Sequence, residues 1–166
     1  MGRLVTQQEI VNIVREGQAK GKTFATTNGC FDILHVGHVR YLQKTKEYAD
    51  KLIVMLNSDI SVKSIKGEDR PINCEADRAE ILSSLSCVDY VVLFDEKSPA
   101  KLLEDIKPDI YTKGADYTLE TLPDDKELES DLSKLIELYD KYADWYLRKD
   151  IKGDFFKFLG PVYSLN

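Results

Sequence analysis

An unbroken run of five apolar residues, Leu52 to Leu56, most narrows the folds that this chain can adopt. Because the run has no polar face, a strand formed by it must be covered by other elements on both of its faces. Strand patterns and helix patterns alternate on either side of this run, between Thr6 and Thr112. The alternation predicts βαβ units, and therefore an α/β fold with a Rossmann-like, doubly wound parallel sheet.

The boundaries of the predicted elements follow from apolar spacing and from glycine and proline breaks. A capping box formed by Thr6 and Glu9 opens the first helix, which ends near Gly17. After Pro123, a continuous apolar stripe in an acidic background predicts one long amphipathic helix to about Leu147. The other predicted strands and helices are strands over 23–28, 52–56, 88–94, 109–112 and 155–159, and helices from Val39, over 76–85 and over 99–106.

Composition limits the classes of function. The chain has 166 residues, which suits a single domain, and its formal net charge of -6 argues against a surface for DNA or RNA. Its three cysteines form no CxxC pair, so neither a disulfide framework nor a zinc cluster is expected, and a reducing, cytoplasmic location is expected. No apolar run approaches the roughly 20 residues of a membrane-spanning helix, so we expect no membrane partner.

Both histidines of the chain fall in one tetrapeptide, His35-Val36-Gly37-His38, which follows the strand predicted over 23–28. In open α/β sheets, ligands bind beyond the carboxyl ends of the strands, where helix N-termini attract phosphate. Gly29 permits a tight turn at this strand end, and Gly37 lets a ligand approach the backbone. Two imidazoles three residues apart on a first helical turn point the same way. The segment therefore predicts a clamp for a phosphate that gains charge during a reaction.

Other interpretations of these residues compete with the phosphate clamp. Segment 17–23 is similar to a Walker A motif, but it is one residue short and precedes a strand instead of following one, so no phosphate cradle is expected. The chain contains no GxGxxG dinucleotide motif. A zinc site on His35 and His38 lacks obvious further ligands. A purely structural role for both histidines is the competing interpretation.

Segment 28–38 resembles the HxGH signature of the nucleotidyltransferase superfamily, which includes cytidylyltransferases and several adenylyltransferases. Within it, residues 23–118 look like the bacterial D-glycero-β-D-manno-heptose 1-phosphate adenylyltransferases. We therefore interpret the chain as one nucleotidyltransferase domain over 1–166, with a recognisable core at 23–118 and a divergent C-terminal extension at 123–166. The residues that carry the resemblance are Asn28 to His35, Leu52 to Val54, Asn57 to Asp59, Lys66-Gly67, Arg70-Pro71, Arg78, Val88-Asp89 and Lys113 to Tyr117.

The resemblance implies that AMP is transferred from ATP to the heptose 1-phosphate, releasing pyrophosphate and forming ADP-heptose. It implies catalytic roles for His35, His38 and Lys66. It assigns nucleotide binding to residues of the loop after the strand, of the segment that follows Asp59, and of the later Lys-Gly motif. These residues are Gly29, Cys30, Phe31, Asp32, Gly37, Lys63, Arg78, Lys113, Gly114 and Asp116.

Several of these assignments leave alternatives open. Asp32 is expected to orient the loop and to fix a histidine or a magnesium-bound water. Lys63 and Lys66 are expected in a mobile segment between Asp59 and Arg70, where either lysine could hold phosphate or both could be solvated. Arg78 is expected either to bind nucleotide or to form an ion pair at the edge of the core.

Magnesium is expected to arrive with ATP, because that ion needs few protein ligands, and no protein metal site is expected. Since members of the family are commonly dimers, the resemblance also implies a homodimer. One alternative function is a CTP-dependent cytidylyltransferase that acts on glycerol 3-phosphate or another alditol phosphate. A second is a non-catalytic nucleotide-binding module, because the family's usual Ser-Thr-Thr turn does not follow the last predicted strand in segment 160–166.

Overall fold

The structure is a computed structural model that describes residues 1–112 and 162–164. One sheet contains the strands β1 (Arg3–Val5), β2 (Phe24–Gly29), β3 (Lys51–Asn57), β4 (Tyr90–Phe94), β5 (Ile110–Thr112) and β6 (Val162–Ser164). The described helices are α1 (Gln7–Gln18), α2 (Val36–Lys46), α3 (Asp59–Lys66), α4 (Glu75–Ser84) and α5 (Ala100–Ile106).

β2 lies in the interior of the sheet, whose strand order is β1-β4-β3-β2-β5-β6. It pairs in parallel with β3 on one side and with β5 on the other. β4 and β1 continue the parallel pairing, and β6 pairs antiparallel with β5. The chain runs from β2 outward to β3 and β4 and then returns to β5 on the opposite side. The strand order therefore reverses beside β2, which makes the carboxyl end of β2 the switch point of the fold.

Two apolar layers cover the two faces of the sheet, and β3 shows how its sequence requires both. Ile53 and Met55 pack in one layer with α1 and α5, whereas Leu52, Val54 and Leu56 pack in the other with α2 and α4. All five side chains have no exposed surface. The predicted doubly wound α/β sheet is confirmed. None of the helices in the described part of the chain has the length and apolar character needed to cross a membrane.

The observed elements differ from the predicted ones in a few places. β1 has no predicted counterpart, since three residues are too few to show a period. The segment after Asp59, expected to be mobile, instead forms α3, whose first turn is capped because the Ser58 hydroxyl accepts a hydrogen bond from the Ser61 N–H. α2 begins at Val36 and not at Val39. The long helix after Pro123 and the strand over 155–159 lie outside the described residues.

The capping box predicted at the start of α1 is present. The Glu9 N–H donates to the Thr6 hydroxyl at 3.2 Å, and the Thr6 N–H donates to the Glu9 carboxylate at 2.7 Å. The hydrogen bonds that the Thr6 N–H and the Thr6 hydroxyl donate to the Glu9 carboxylate lower the pKa of Glu9 below its ordinary value. Two backbone donors that the helix itself cannot pair are thereby satisfied.

We predict that Thr6→Ala lowers the free energy of unfolding by about 1 kcal/mol, because the Glu9 N–H loses its acceptor. Urea titration followed by far-UV circular dichroism measures the change. Gln8→Ala, at an exposed position of the same helix, is the control and should change the free energy of unfolding by less than about 0.5 kcal/mol. Equal losses in the two variants would contradict the capping assignment.

Candidate active site

The loop between β2 and α2 lies at the switch point of the sheet. Gly29, the last residue of β2, pairs with Leu56 of β3, and Thr27 pairs with Thr112 of β5. The loop therefore emerges between two strands whose carboxyl ends lie beside it. Ligands of doubly wound folds bind in this crevice.

The two histidines cap the N-terminus of α2. His35 is the N-cap residue, and its Nδ1 accepts a hydrogen bond from the Gly37 N–H at 3.1 Å. The His38 Nδ1 in turn accepts from the His35 N–H at 3.3 Å. The two rings are 3.9 Å apart between centroids and are tilted by 31°. The histidines thus form a reciprocal capping box, with imidazole nitrogens in the places of the usual hydroxyl and carboxylate oxygens.

This geometry determines which ring nitrogen carries hydrogen. A backbone N–H can only donate, so the Nδ1 atoms of both His35 and His38 must each present a lone pair. A neutral imidazole with a lone pair on Nδ1 carries its hydrogen on Nε2. Both rings are therefore neutral Nε2–H donors at the positive end of the α2 dipole.

Gly37 leaves room for the His35 ring beside the N-terminus of α2. A Cβ atom at this position would lie 2.9 Å from Cε1 of His35, a distance that real Cβ contacts essentially never show, and 3.0 Å from its Nδ1. Any larger residue would push the ring away from the Gly37 N–H, from which it accepts a hydrogen bond. The predicted approach of a ligand to the Gly37 backbone stays a prediction.

Phe31 supports the second histidine. It has a positive φ of 43°, which side chains other than glycine rarely adopt, and its ring contacts the His38 ring edge-on at 5.2 Å between centroids. Gly29 leaves room for this ring, because a Cβ at position 29 would lie 3.0 Å from it. The loop conformation therefore places an apolar support against His38.

Asp32 fastens the loop to segment 70–73. One carboxylate oxygen accepts from the N–H groups of Ile72 at 2.7 Å and Asn73 at 3.2 Å, and the other lies 3.0 Å from Nε of Arg70. Burial raises the pKa of Asp32, but these N–H groups and the positive charges of Arg70 and Lys66 outweigh it, so the pKa lies below its ordinary value. The expected loop-orienting role fits this geometry. The expected link from Asp32 to a histidine is corrected, since both oxygens face segment 70–73.

Lys63 and Lys66 both lie in the last turn of α3, where their side chains are exposed. The charge of Lys66 contributes to the lowered pKa of Asp32, so Lys66 lies close to the loop that contains Asp32. Both lysines sit on a defined helix that leads directly into Gly67 and the segment held by Asp32.

Arg78 belongs to the interior and not to the surface of the site. Its side chain is fully buried and pairs with Asp59 at 2.7 Å. Its guanidinium also donates to the carbonyls of Cys30, Asn57 and Asn73. Of the two expectations for Arg78, the structure shows the ion pair. The buried side chain is not available for direct contact with a nucleotide in this geometry.

Tyr41, which the sequence analysis did not single out, lies one turn after His38 beneath the site. Its hydroxyl is hydrogen-bonded to the hydroxyls of Thr27 at 2.7 Å and Thr112 at 2.8 Å, and Thr45 joins Thr112 at 3.1 Å. Burial raises the pKa of Tyr41 to about 12, so the hydroxyl keeps its hydrogen. This network fixes α2 against β2 and β5 at their carboxyl ends.

Three predicted nucleotide-binding residues, Lys113, Gly114 and Asp116, lie outside the described residues. The described chain leaves β5 at Thr112, which pairs with Thr27. Arg70, Asn73 and Tyr41 contact the site but were not assigned roles from sequence; Arg70 appeared only as part of the resemblance, and nothing in the local pattern marks the others.

Within residues 1–112, no group of three histidine, cysteine, aspartate or glutamate side chains converges. One oxygen of Asp32, the buried acid nearest the histidines in sequence, accepts hydrogen bonds from Ile72 and Asn73, and the other faces Arg70. The expectation that magnesium arrives with ATP stays a prediction.

The geometry as a whole suits a phosphate that becomes more negative during a reaction. Two neutral imidazole donors and a helix N-terminus lie at one strand end, and Lys66 of α3 lies near enough to lower the pKa of Asp32 in the same loop. This arrangement suits a reaction that depends on positioning and charge stabilisation.

Comparisons with known proteins agree with this site. Residues 26–155 match the sequence profile of the cytidylyltransferase-like family. A protein of Geobacter metallireducens named "Bifunctional protein HldE" is 55% identical over 111 residues, which cover 67% of this chain and 23% of that protein. The protein of the same name from a Nitratiruptor species is 51% identical over 133 residues, covering 80% and 28%. The chain thus spans about a quarter of the length of these relatives.

A solved structure is similar to this chain in both sequence and fold. The lipopolysaccharide core biosynthesis protein from Thermoplasma volcanium GSS1 shares 36% identity and a TM-score of 0.56, over 69% of this chain and 89% of that one. The match of the family profile covers most of the sequence and includes the strand, the histidine segment and the helix that build the site. The chain therefore belongs to the cytidylyltransferase-like family of nucleotidyltransferases.

Proposed function

We propose that this domain transfers AMP from ATP to a sugar 1-phosphate, and that the acceptor is D-glycero-β-D-manno-heptose 1-phosphate. The observation that carries the proposal is the pair of neutral Nε2–H donors, His35 and His38, at the N-terminus of α2. The relatives named HldE, and the likeness to a lipopolysaccharide core biosynthesis protein, support the heptose branch of the resemblance.

The chemistry needs positioning more than it needs a base. A phosphate oxygen of the acceptor attacks the α-phosphorus of ATP and forms the new P–O bond. The bond from that phosphorus to the oxygen shared with the β-phosphate breaks, and pyrophosphate leaves with the electron pair. Because a sugar phosphate is already largely ionised near neutral pH, no proton must be removed from it. The ATP is taken up with its magnesium as the substrate.

The residues of the site are then given distinct roles. The Nε2–H groups of His35 and His38 donate to oxygens of the α-phosphate as their charge grows, and the dipole of α2 adds to the effect. Lys66, with Lys63 one turn before it, neutralises the anionic oxygens of the leaving group or the acceptor. The loop at Cys30 and Phe31 forms the backbone wall of the phosphate path, and Asp32 holds that loop against segment 70–73.

The two alternatives have less support. A cytidylyl transfer onto an alditol phosphate would use the same histidines, but the relatives found carry the HldE name. A module that binds nucleotide without reaction would not need two donors fixed in one tautomer. Nucleotide choice and turnover distinguish both alternatives from adenylyl transfer.

We predict that the purified chain releases pyrophosphate when it is given ATP, magnesium and heptose 1-phosphate. A coupled pyrophosphatase assay measures the release, and parallel reactions with CTP and with glycerol 3-phosphate test the cytidylyl alternative. Higher turnover with CTP would replace the adenylyl proposal by that alternative. Tight ATP binding in calorimetry with no pyrophosphate from any pair would support the non-catalytic module.

We predict that His35→Asn and His38→Asn separate the capping role of the histidines from their catalytic role. The asparagine Oδ1 can take the place of Nδ1 as the acceptor of the backbone N–H, and asparagine is a favourable N-cap residue. The Nε2–H donor is lost in both variants. Turnover should fall by roughly 100-fold to 1000-fold while the thermal midpoint stays near that of the wild type.

The matching alanine variants complete this test. His35→Ala loses the cap and the donor together, so it should lower both the thermal midpoint and turnover. If the asparagine variants keep wild-type turnover, the histidines are structural caps and the proposed mechanism is wrong.

A further inference from the structure

Arg78 brings a complete positive charge into the interior next to the candidate active site. Its side chain has no exposed surface, and all three of its nitrogens donate hydrogen bonds. Nε donates to the Asn73 carbonyl at 3.0 Å, Nη1 to the carbonyls of Cys30 at 2.6 Å and Asn57 at 2.8 Å, and Nη2 to the Asp59 carboxylate at 2.7 Å.

Stability is a weak reason for such a residue. A buried guanidinium gives up its water, and its pairing only offsets that cost, so a well-packed apolar side chain is often equally stable. The guanidinium also orients its partners, because its planar donors hold several acceptors in one geometry. A buried charge of this kind is therefore best explained by the groups that it holds in place.

The acceptors come from separate parts of the chain that meet at the site. Cys30 lies in the loop that leads to the histidines, and Asn57 ends β3. Asp59 begins α3, the helix that carries Lys63 and Lys66, while Asn73 belongs to the segment that Asp32 holds. One side chain thus connects the histidine loop, the lysine helix and segment 70–73.

The hydrogen bond to Cys30 has the most direct consequence. In a trans peptide, the carbonyl and the following N–H point in opposite directions. A guanidinium that holds the Cys30 carbonyl on the interior side therefore turns the Phe31 N–H away from Arg78. Phe31 also has a positive φ of 43°, a conformation that persists only where the surroundings enforce it.

We propose that Arg78 is a positioning residue for the transfer reaction: it orients the Cys30–Phe31 peptide, and through it the Phe31 ring that supports His38. This inference rests on the proposed function. It also ties the placement of the α3 lysines to that of the histidine loop, because Asp59 and Cys30 share the same guanidinium.

The test compares Arg78→Lys and Arg78→Ala with Lys51→Met, which breaks the Lys51–Asp89 ion pair away from the histidine loop. We expect kcat of Arg78→Lys to fall roughly a hundredfold, as misplaced reacting groups do, with a much smaller change in KM for ATP. Lys51→Met should keep wild-type kcat even where its thermal midpoint is lowered equally. A kcat of Arg78→Lys that equals the wild-type value would overturn the proposal.

Chemical rescue and amide exchange provide two further readouts. Methylguanidinium should restore part of the lost turnover of Arg78→Ala, whereas methylammonium at the same concentration should not; equal effects of the two cations would count against the proposal. Hydrogen exchange at the Asn73 amide, which donates to Asp32 while the Asn73 carbonyl accepts from Arg78, should be faster in Arg78→Lys than in the wild type and in Lys51→Met. The amides of β3 should stay unchanged. Unchanged exchange at Asn73 would also overturn the proposal.

These readouts distinguish a failure of the proposed function from a failure of the positioning role of Arg78. A wild-type chain that releases no pyrophosphate contradicts the proposed function, and the amide exchange then decides alone whether Arg78 orients the loop. A wild-type chain that is active, together with Arg78 variants that match Lys51→Met in kcat and in exchange, contradicts the positioning role alone.

Discussion

The parallel pairing of β2 with strands on both of its sides is the constraint on which the rest of the structure depends. Because β3 and β5 both run parallel to β2, their carboxyl ends meet at one edge of the sheet. The chain must cross over by helices to keep that direction, so α2 starts at the same edge. The histidine cap, the lysine helix and the buried Arg78 all follow from the position of this strand end.

The local charge at the site is opposite in sign to the net charge of the chain. The chain carries a net charge of -6, yet the site is formed by the N-terminus of α2 and by the exposed lysines Lys63 and Lys66 in the last turn of α3. The cations Arg70 and Arg78 instead pair with the nearby acids Asp32 and Asp59. An anionic ligand at this edge therefore meets a helix N-terminus and exposed cations.

The parts of the structure that depend on local pattern could be predicted from the sequence. The apolar run of β3, the capping box of α1 and the position of the histidines after β2 all follow from neighbouring residues. α3 was missed because its eight residues carry few apolar positions. The histidine cap was missed because hydroxyl and carboxylate side chains usually take that role, and because the apolar pattern begins only at Val39, three residues after the start of α2.

The contacts of Arg78 and Asp32 could not have been predicted in this way. Arg78 binds the carbonyls of Cys30 and Asn57, and Asp32 accepts from the N–H groups of residues 72 and 73. Every residue has such backbone groups, so no side-chain pattern identifies which of them will be partners. Only the crossing of the chain at the sheet edge brings them together, and the folded structure is needed to see it.

The pairing of β5 with β6 has a consequence for how this fold can vary. Thr112, the last residue of β5, pairs with Val162, the first residue of β6. The two ends of the intervening chain are therefore fixed at one point of the sheet, beside Thr27 near the carboxyl end of β2. The entropy of closing a loop grows only with the logarithm of its length. A longer or shorter connection between these two strands would therefore cost the sheet little.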